Sequence, residues 1–140
     1  MPTLASQRWL AAACWGCLLF GAAMLLLPGL TRAGFGWLML NDVTAIEGWP
    51  PAARGYVTLL HGVLGAVMVG WAVALLLMLR PAPLPAWRIV GFSAAAWFAS
   101  DTLHSALLGA WPNVALNTAF AAAFAPGLWL CWRSSGGRRL

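Results

Sequence analysis

Four long apolar runs organise the chain, at residues 8–27, 55–79, 87–108 and 112–132, with breaks between them rich in proline, glycine and arginine. None alternates apolar with polar positions. Each is long enough to cross a hydrocarbon core of ~30 Å at ~1.5 Å of rise per helical residue. Backbone groups in lipid are satisfied only in helices or closed barrels, so runs of this kind predict helices. Pro28-Gly29 closes the first run, and Arg80 with Pro81-Ala82-Pro83-Leu84-Pro85 closes the second. Gly109 closes the third, and residues 133–140 form a polar tail. The predicted fold is all-α: one domain over residues 1–140, built as an integral membrane four-helix bundle. The first run exceeds the ~7–15 residues of a signal-peptide core and lacks a clean small-x-small site, so it reads as an uncleaved helix.

The connection at residues 28–54 is too apolar for a slack loop. Phe35-Gly36-Trp37-Leu38-Met39-Leu40 suits a membrane interface, and Pro50-Pro51 prepares the second span. Thr44-Ala45-Ile46-Glu47 has the spacing of a capping box and predicts a short helix. The segment is expected to be a structured lid over the outer end of the bundle.

Composition strengthens this picture. Only 8% of the residues are charged and 62% are hydrophobic, where a soluble domain has about 25% charged. Too little polar surface remains to cover a water-soluble globule. The net charge of +5 comes from arginines at segment ends rather than from one patch, which points to the phospholipid bilayer and away from nucleic acid. Arg8, Arg80, Arg88, Arg133, Arg138 and Arg139 fall on one side, against Arg32 and Arg54 with Asp42 and Glu47 on the other. The positive-inside rule then puts both termini in the cytoplasm of a bacterial inner membrane. Trp9, Trp87, Trp129 and Trp132 mark the inner interface, and Trp37, Trp49 and Trp111 the outer one.

Small residues recur at four-residue spacing in all four runs: Ala13-Cys17-Gly21, Gly62-Ala66-Gly70, Gly91-Ala95-Ala99, and Ala115-Ala119-Ala123-Gly127. Such stripes predict close helix packing in lipid. Pro126 removes a helical donor and predicts a kink in the last helix.

The chemistry is concentrated in one third of the bundle. Asp101 lies inside the third run, where an ionisable group costs ~3 kcal/mol or more unless it has a partner. Asp101, His104 and Ser105 share a helix face, as do Asn113 and Asn117. Folding the hairpins back places His61 within ~5 Å of the depth of His104 and ~9 Å of that of Asp101. Trp71 and Trp97 fall level with each other, one turn further in.

Several readings compete for this cluster. A buried ion pair of Asp101 with His61 or His104 would fix helix register. A ligand or partner pocket would use His61, Asp101, His104, Ser105, Asn113 and Asn117, with Trp71 and Trp97 as its floor. A transition metal held by His61, His104 and Asp101, or a haem between the two histidines, would give a redox component. Separately, Cys14-Trp15-Gly16-Cys17 places two thiols on one face, the spacing of a membrane thiol redox protein, with Cys131 at similar depth.

The runs 56–71, 97–102 and 111–117 resemble small four-span membrane proteins of bacteria with GC-rich genomes, a likeness that implies no activity. Mercury-carrier families share the span number only. The leading expectation is an accessory or binding module rather than an enzyme, with no resident cofactor. Another membrane protein or a second copy of the chain would be its partner.

Overall fold

The computed structural model describes residues 4–80 and 84–136; the turn predicted at Pro81-Ala82-Pro83 and the arginines at 138 and 139 lie outside the described residues. The described residues form five helices and no strand: α1 (Leu4–Leu26), α2 (Pro28–Leu40), α3 (Pro51–Met78), α4 (Ala86–Leu107) and α5 (Trp111–Gly136). Two helices, α3 and α5, are long and apolar enough to cross a membrane. A third candidate span exists if α1 and α2, bent by 111° at their junction, count as one broken span. Helix α4 is not among them, because Ser93, Ser100, Asp101, Thr102, His104 and Ser105 dilute its apolar content.

The long helices follow a row. Helix α3 packs against α1 on one side and α4 on the other, and α4 in turn carries α5. Among the described residues no comparable contact joins α1 to α5, so the row does not close on itself there. Position in the row suits composition: α4, the most polar helix, lies between α3 and α5. It buries Asp101, His104 and Ser105 and leaves Val90, Phe92, Leu103 and Leu107 exposed.

Glycine sets the α1–α3 distance. A Cβ on Gly21 would lie 2.7 Å from the Gly65 carbonyl oxygen, and one on Gly65 would lie 2.6 Å from that of Gly21. The backbones therefore touch directly, beside the fully buried Met24. On the other side of α3, the Ser93 hydroxyl donates to the Gly70 carbonyl at 2.7 Å. The predicted seam Gly62-Ala66-Gly70 is buried throughout.

The other stripes need correction. In α1 Gly21 is buried but Ala13 is exposed, and in α4 Ala95 and Ala99 are exposed. All four members of the α5 stripe, Ala115, Ala119, Ala123 and Gly127, face outward. Helix α5 meets its neighbour through a different face, the one that holds Asn113 and Asn117. It also runs unbroken through Pro126.

The connection between α1 and α3 contains more helix than its sequence suggested. Pro28 does break α1, and Leu27 departs from helical geometry at φ −124°, ψ 59°. Pro28 then begins α2, at a first-turn position where its missing N–H costs nothing. Thr31 stitches the bend by donating its hydroxyl to the Ala23 carbonyl at 3.4 Å. Asn41 ends α2 in the left-handed region at φ 55°, a conformation asparagine tolerates well. The returning chain passes so close that a Cβ on Gly36 would lie 2.7 Å from the Asp42 carbonyl oxygen. The short helix expected at Thr44–Glu47 is a turn instead. The Thr44 N–H and hydroxyl both donate to Asp42 Oδ1 at 2.8 Å, while Glu47 turns away to other partners.

Candidate functional site

Where α3 begins, α4 ends and α5 begins, the structure gathers polar side chains in two groups. The first lies between α4 and α5. Asp101 and Ser105, one helical turn apart, are 1% and 0% exposed. Ser105 donates its hydroxyl to Asp101 Oδ1 at 3.2 Å. Asn113, from the first turn of α5, directs Nδ2 to Asp101 Oδ1 at 3.0 Å and to Ser105 Oγ at 2.8 Å. The three residues form a closed hydrogen-bonded triangle across the helix seam. Asn117, one turn further along the same α5 face, is 2% exposed and its Nδ2 has no partner.

The histidines stand outside this triangle. His104 is buried with its ring pressed into the notch left by Gly62: a Cβ there would overlap the imidazole at Nε2. That Nε2 has no hydrogen-bond partner. His61 turns to α2, where its ring stacks on Phe35 with centroids 4.4 Å apart and 23° between planes. Its Nδ1 is likewise buried and unpartnered, as is Thr102 Oγ1. Among the described residues no ion pair joins Asp101 to either histidine. The negative partner group expected for an imidazole is instead occupied by a hydroxyl and a carboxamide.

Metal geometry is not assembled either. Among the described residues no group of three or more His, Cys, Asp and Glu side chains comes together in a way that could hold a metal ion. His61 faces α2 and His104 faces the α3 backbone, so the two rings do not flank a common space for a haem. Cys14 is buried and Cys17 half-buried on α1. Cys131 belongs to α5, at the opposite end of the row, so the three sulfurs do not converge.

Trp71 and Trp97 do line one groove, of about 590 Å³, with Val67, Ser93 and Phe124. No member of the polar cluster lines it. The indoles therefore form a separate apolar groove rather than the floor of the polar site. Trp71 is 60% exposed, turned toward the surroundings rather than the core.

The second polar group joins the connection to α3. Arg32 of α2 donates from Nε to Glu47 Oε1 at 2.6 Å and from Nη1 to Thr58 Oγ1 at 3.0 Å. Arg54, in the first turn of α3, reaches Glu47 Oε2 at 3.0 Å. Glu47 is thus shared by two guanidiniums, and the hydrogen bond from Arg32, followed by that from Arg54, holds its carboxyl below the usual carboxylate range. An open pocket of about 250 Å³ lies beside them, lined by Arg32, Arg54, Thr58 and Leu108 among others. Sequence reasoning counted these charges as topology markers and missed that they meet. The available signal was their proximity in sequence, two arginines and a glutamate within residues 32–54.

No known protein family, curated protein or solved structure matches the chain.

Proposed function

We propose that the chain is an accessory binding module of the bacterial inner membrane, without catalytic chemistry of its own. In this reading it crosses the bilayer four times, α4 included, with both termini cytoplasmic and the Asp101 cluster toward the outer leaflet. The arginine distribution supports the orientation. The shielded position of α4 between α3 and α5 supports its crossing, since Asp101, His104 and Ser105 are buried and, apart from Arg88 near its start, its exposed residues are apolar.

The observation that carries the reading is a concentration of unsatisfied polar atoms. His61 Nδ1, Thr102 Oγ1, His104 Nε2 and Asn117 Nδ2 are buried without a hydrogen-bond partner, all in the same third of the molecule as the Asp101–Ser105–Asn113 triangle. Each such group costs about 1–3 kcal/mol when left unpaired, and hydrocarbon offers nothing in return. A small polar molecule, or a polar group from a partner protein, supplies the missing hydrogen bonds.

The test uses full-length protein purified from its own membranes in mild detergent and analysed by native mass spectrometry. Wild type should carry a stoichiometric polar molecule or partner. Asn117→Leu should lose it while unfolding at the same or a higher temperature, because an orphan amide has been replaced by an apolar group of similar size. Wild type carrying lipid alone, together with an unaltered Asn117→Leu profile, would reduce the cluster to scaffolding and end the proposal.

A further inference from the structure

We infer that Arg32, Arg54 and Thr58 form a site for the phosphate of an anionic phospholipid headgroup. This site is separate from the Asp101 cluster and does not depend on its function. Two guanidiniums share one carboxylate at 2.6 and 3.0 Å, so the group keeps one net positive charge. Arg54 Nε is buried and has no partner, and the planar fork of arginine suits a phosphate oxygen pair. The pocket opens along the first turns of α3, lined by Pro51, Arg54, Gly55 and Thr58. Residue 50, at the helix cap, is a proline with no side-chain cap. The positive end of the helix is therefore left for an anion.

Depth identifies the source of that phosphate. Helix α2 turns 111° away from α1 and leaves Leu30, Trp37, Leu38 and Met39 exposed. A helix with that apolar surface beside a span lies in the interface, between headgroups and acyl chains. Trp49 and Tyr56, both exposed and close in sequence to the pocket residues Pro51 and Gly55, are of types that favour the same zone. Arg32 projects from α2 and Arg54 from the start of α3, so both guanidiniums stand at headgroup level. Leu108, 47% exposed, lines the pocket and offers an acyl chain an apolar path downward. A single residual positive charge favours an anionic lipid over a zwitterionic one.

The experiment titrates the full chain in mild detergent with phosphatidylglycerol, phosphatidylcholine or inorganic phosphate, and counts bound lipid by native mass spectrometry. Phosphatidylglycerol should bind in preference to both others. Arg54→Gln should weaken it about tenfold, the scale of one lost charge-assisted contact. Glu47→Gln keeps both guanidiniums and removes their competitor, so it should tighten phosphatidylglycerol binding even where Arg54→Gln fails to fold. Equal binding of phosphatidylcholine, occupancy by inorganic phosphate alone, wild-type affinity in Arg54→Gln, or no tightening in Glu47→Gln would each overturn the inference.

Discussion

Asn113 Nδ2 stands 3.0 Å from Asp101 Oδ1, a hydrogen bond that crosses from α5 to α4. Only 6% of the apolar window of α5 is buried within the chain, so apolar packing holds this helix weakly and the polar tie matters more. Asn113→Ala should lower the unfolding temperature in detergent, by the equivalent of ~1 kcal/mol, between the ~0.6 of an average intramembrane contact and the cost of an orphaned acceptor. Asp101→Asn retains an oxygen for Asn113 to reach and should cost less. The reverse order in thermal unfolding would mean that the charge at 101, rather than this bond, holds the seam.

His104 and Gly62 make a second separable contact. The imidazole occupies the volume a Cβ would need, so Gly62→Ala should destabilise by about 1–3 kcal/mol, as overpacking does. His104→Ala in the same chain should recover most of that loss. Gly65→Ala provides the contrast: its Cβ would meet the Gly21 carbonyl at 2.6 Å, and no side-chain truncation can relieve a clash with backbone. Unfolding measurements on the double variants distinguish the cases.

The same four-residue repeat had opposite outcomes on α3 and α5, and the contrast explains how far the sequence could be read. Helix positions follow from length and apolarity, so the long helices lie close to their expected limits, although α4 is not apolar enough to count among the candidate spans. Which face of a helix meets protein does not follow, because lipid tails are as apolar as the side chains of a neighbouring helix. Gly62, Ala66 and Gly70 are buried and Ala115, Ala119 and Ala123 are exposed, yet nothing local separates the two stripes. Polar residues were the better guide. Asp101, Ser105 and Asn117 are buried, and Asn113 half-buried, between α4 and α5 as their facing suggested. His61 escaped, because hairpin reflection compares depth but not rotation about the helix axis, and its ring turned to Phe35 on an unforeseen helix.

Glu47 should make the connection between α2 and α3 sensitive to acid. Its carboxyl is held low first by Arg32 and then by Arg54. A depressed folded value means that the stabilisation is complete above the unfolded value and is lost as pH falls through the folded one. Asp42, lowered by its hydrogen bonds from the Thr44 backbone and hydroxyl, adds to the same window. Amide protection factors at residues 42–49, taken relative to the intrinsic exchange rate at each pH, should therefore stay constant from neutral pH to the usual carboxylate range and fall below it. In Glu47→Gln, exchange should be faster at neutral pH and the acid response smaller, leaving the part due to Asp42. A wild-type profile in that variant would show that the shared carboxylate does not anchor the connection.

The exposed α5 stripe gives the sharpest check on the open row. With Ala119 facing outward, a larger apolar side chain there meets lipid or detergent rather than protein. Ala119→Leu should leave the unfolding temperature within the equivalent of ~0.5 kcal/mol of wild type, the usual range for a substitution away from packed features. Ala66, fully buried on α3, provides the internal control: Ala66→Leu forces bulk into a closed seam and should cost about 1–3 kcal/mol. If Ala119→Leu proved as damaging as Ala66→Leu, the α5 stripe would be covered, either by α1 closing the row into a bundle or by a second copy of the chain. The mass of the wild-type complex in detergent, measured beside the unfolding temperatures, tells those two apart.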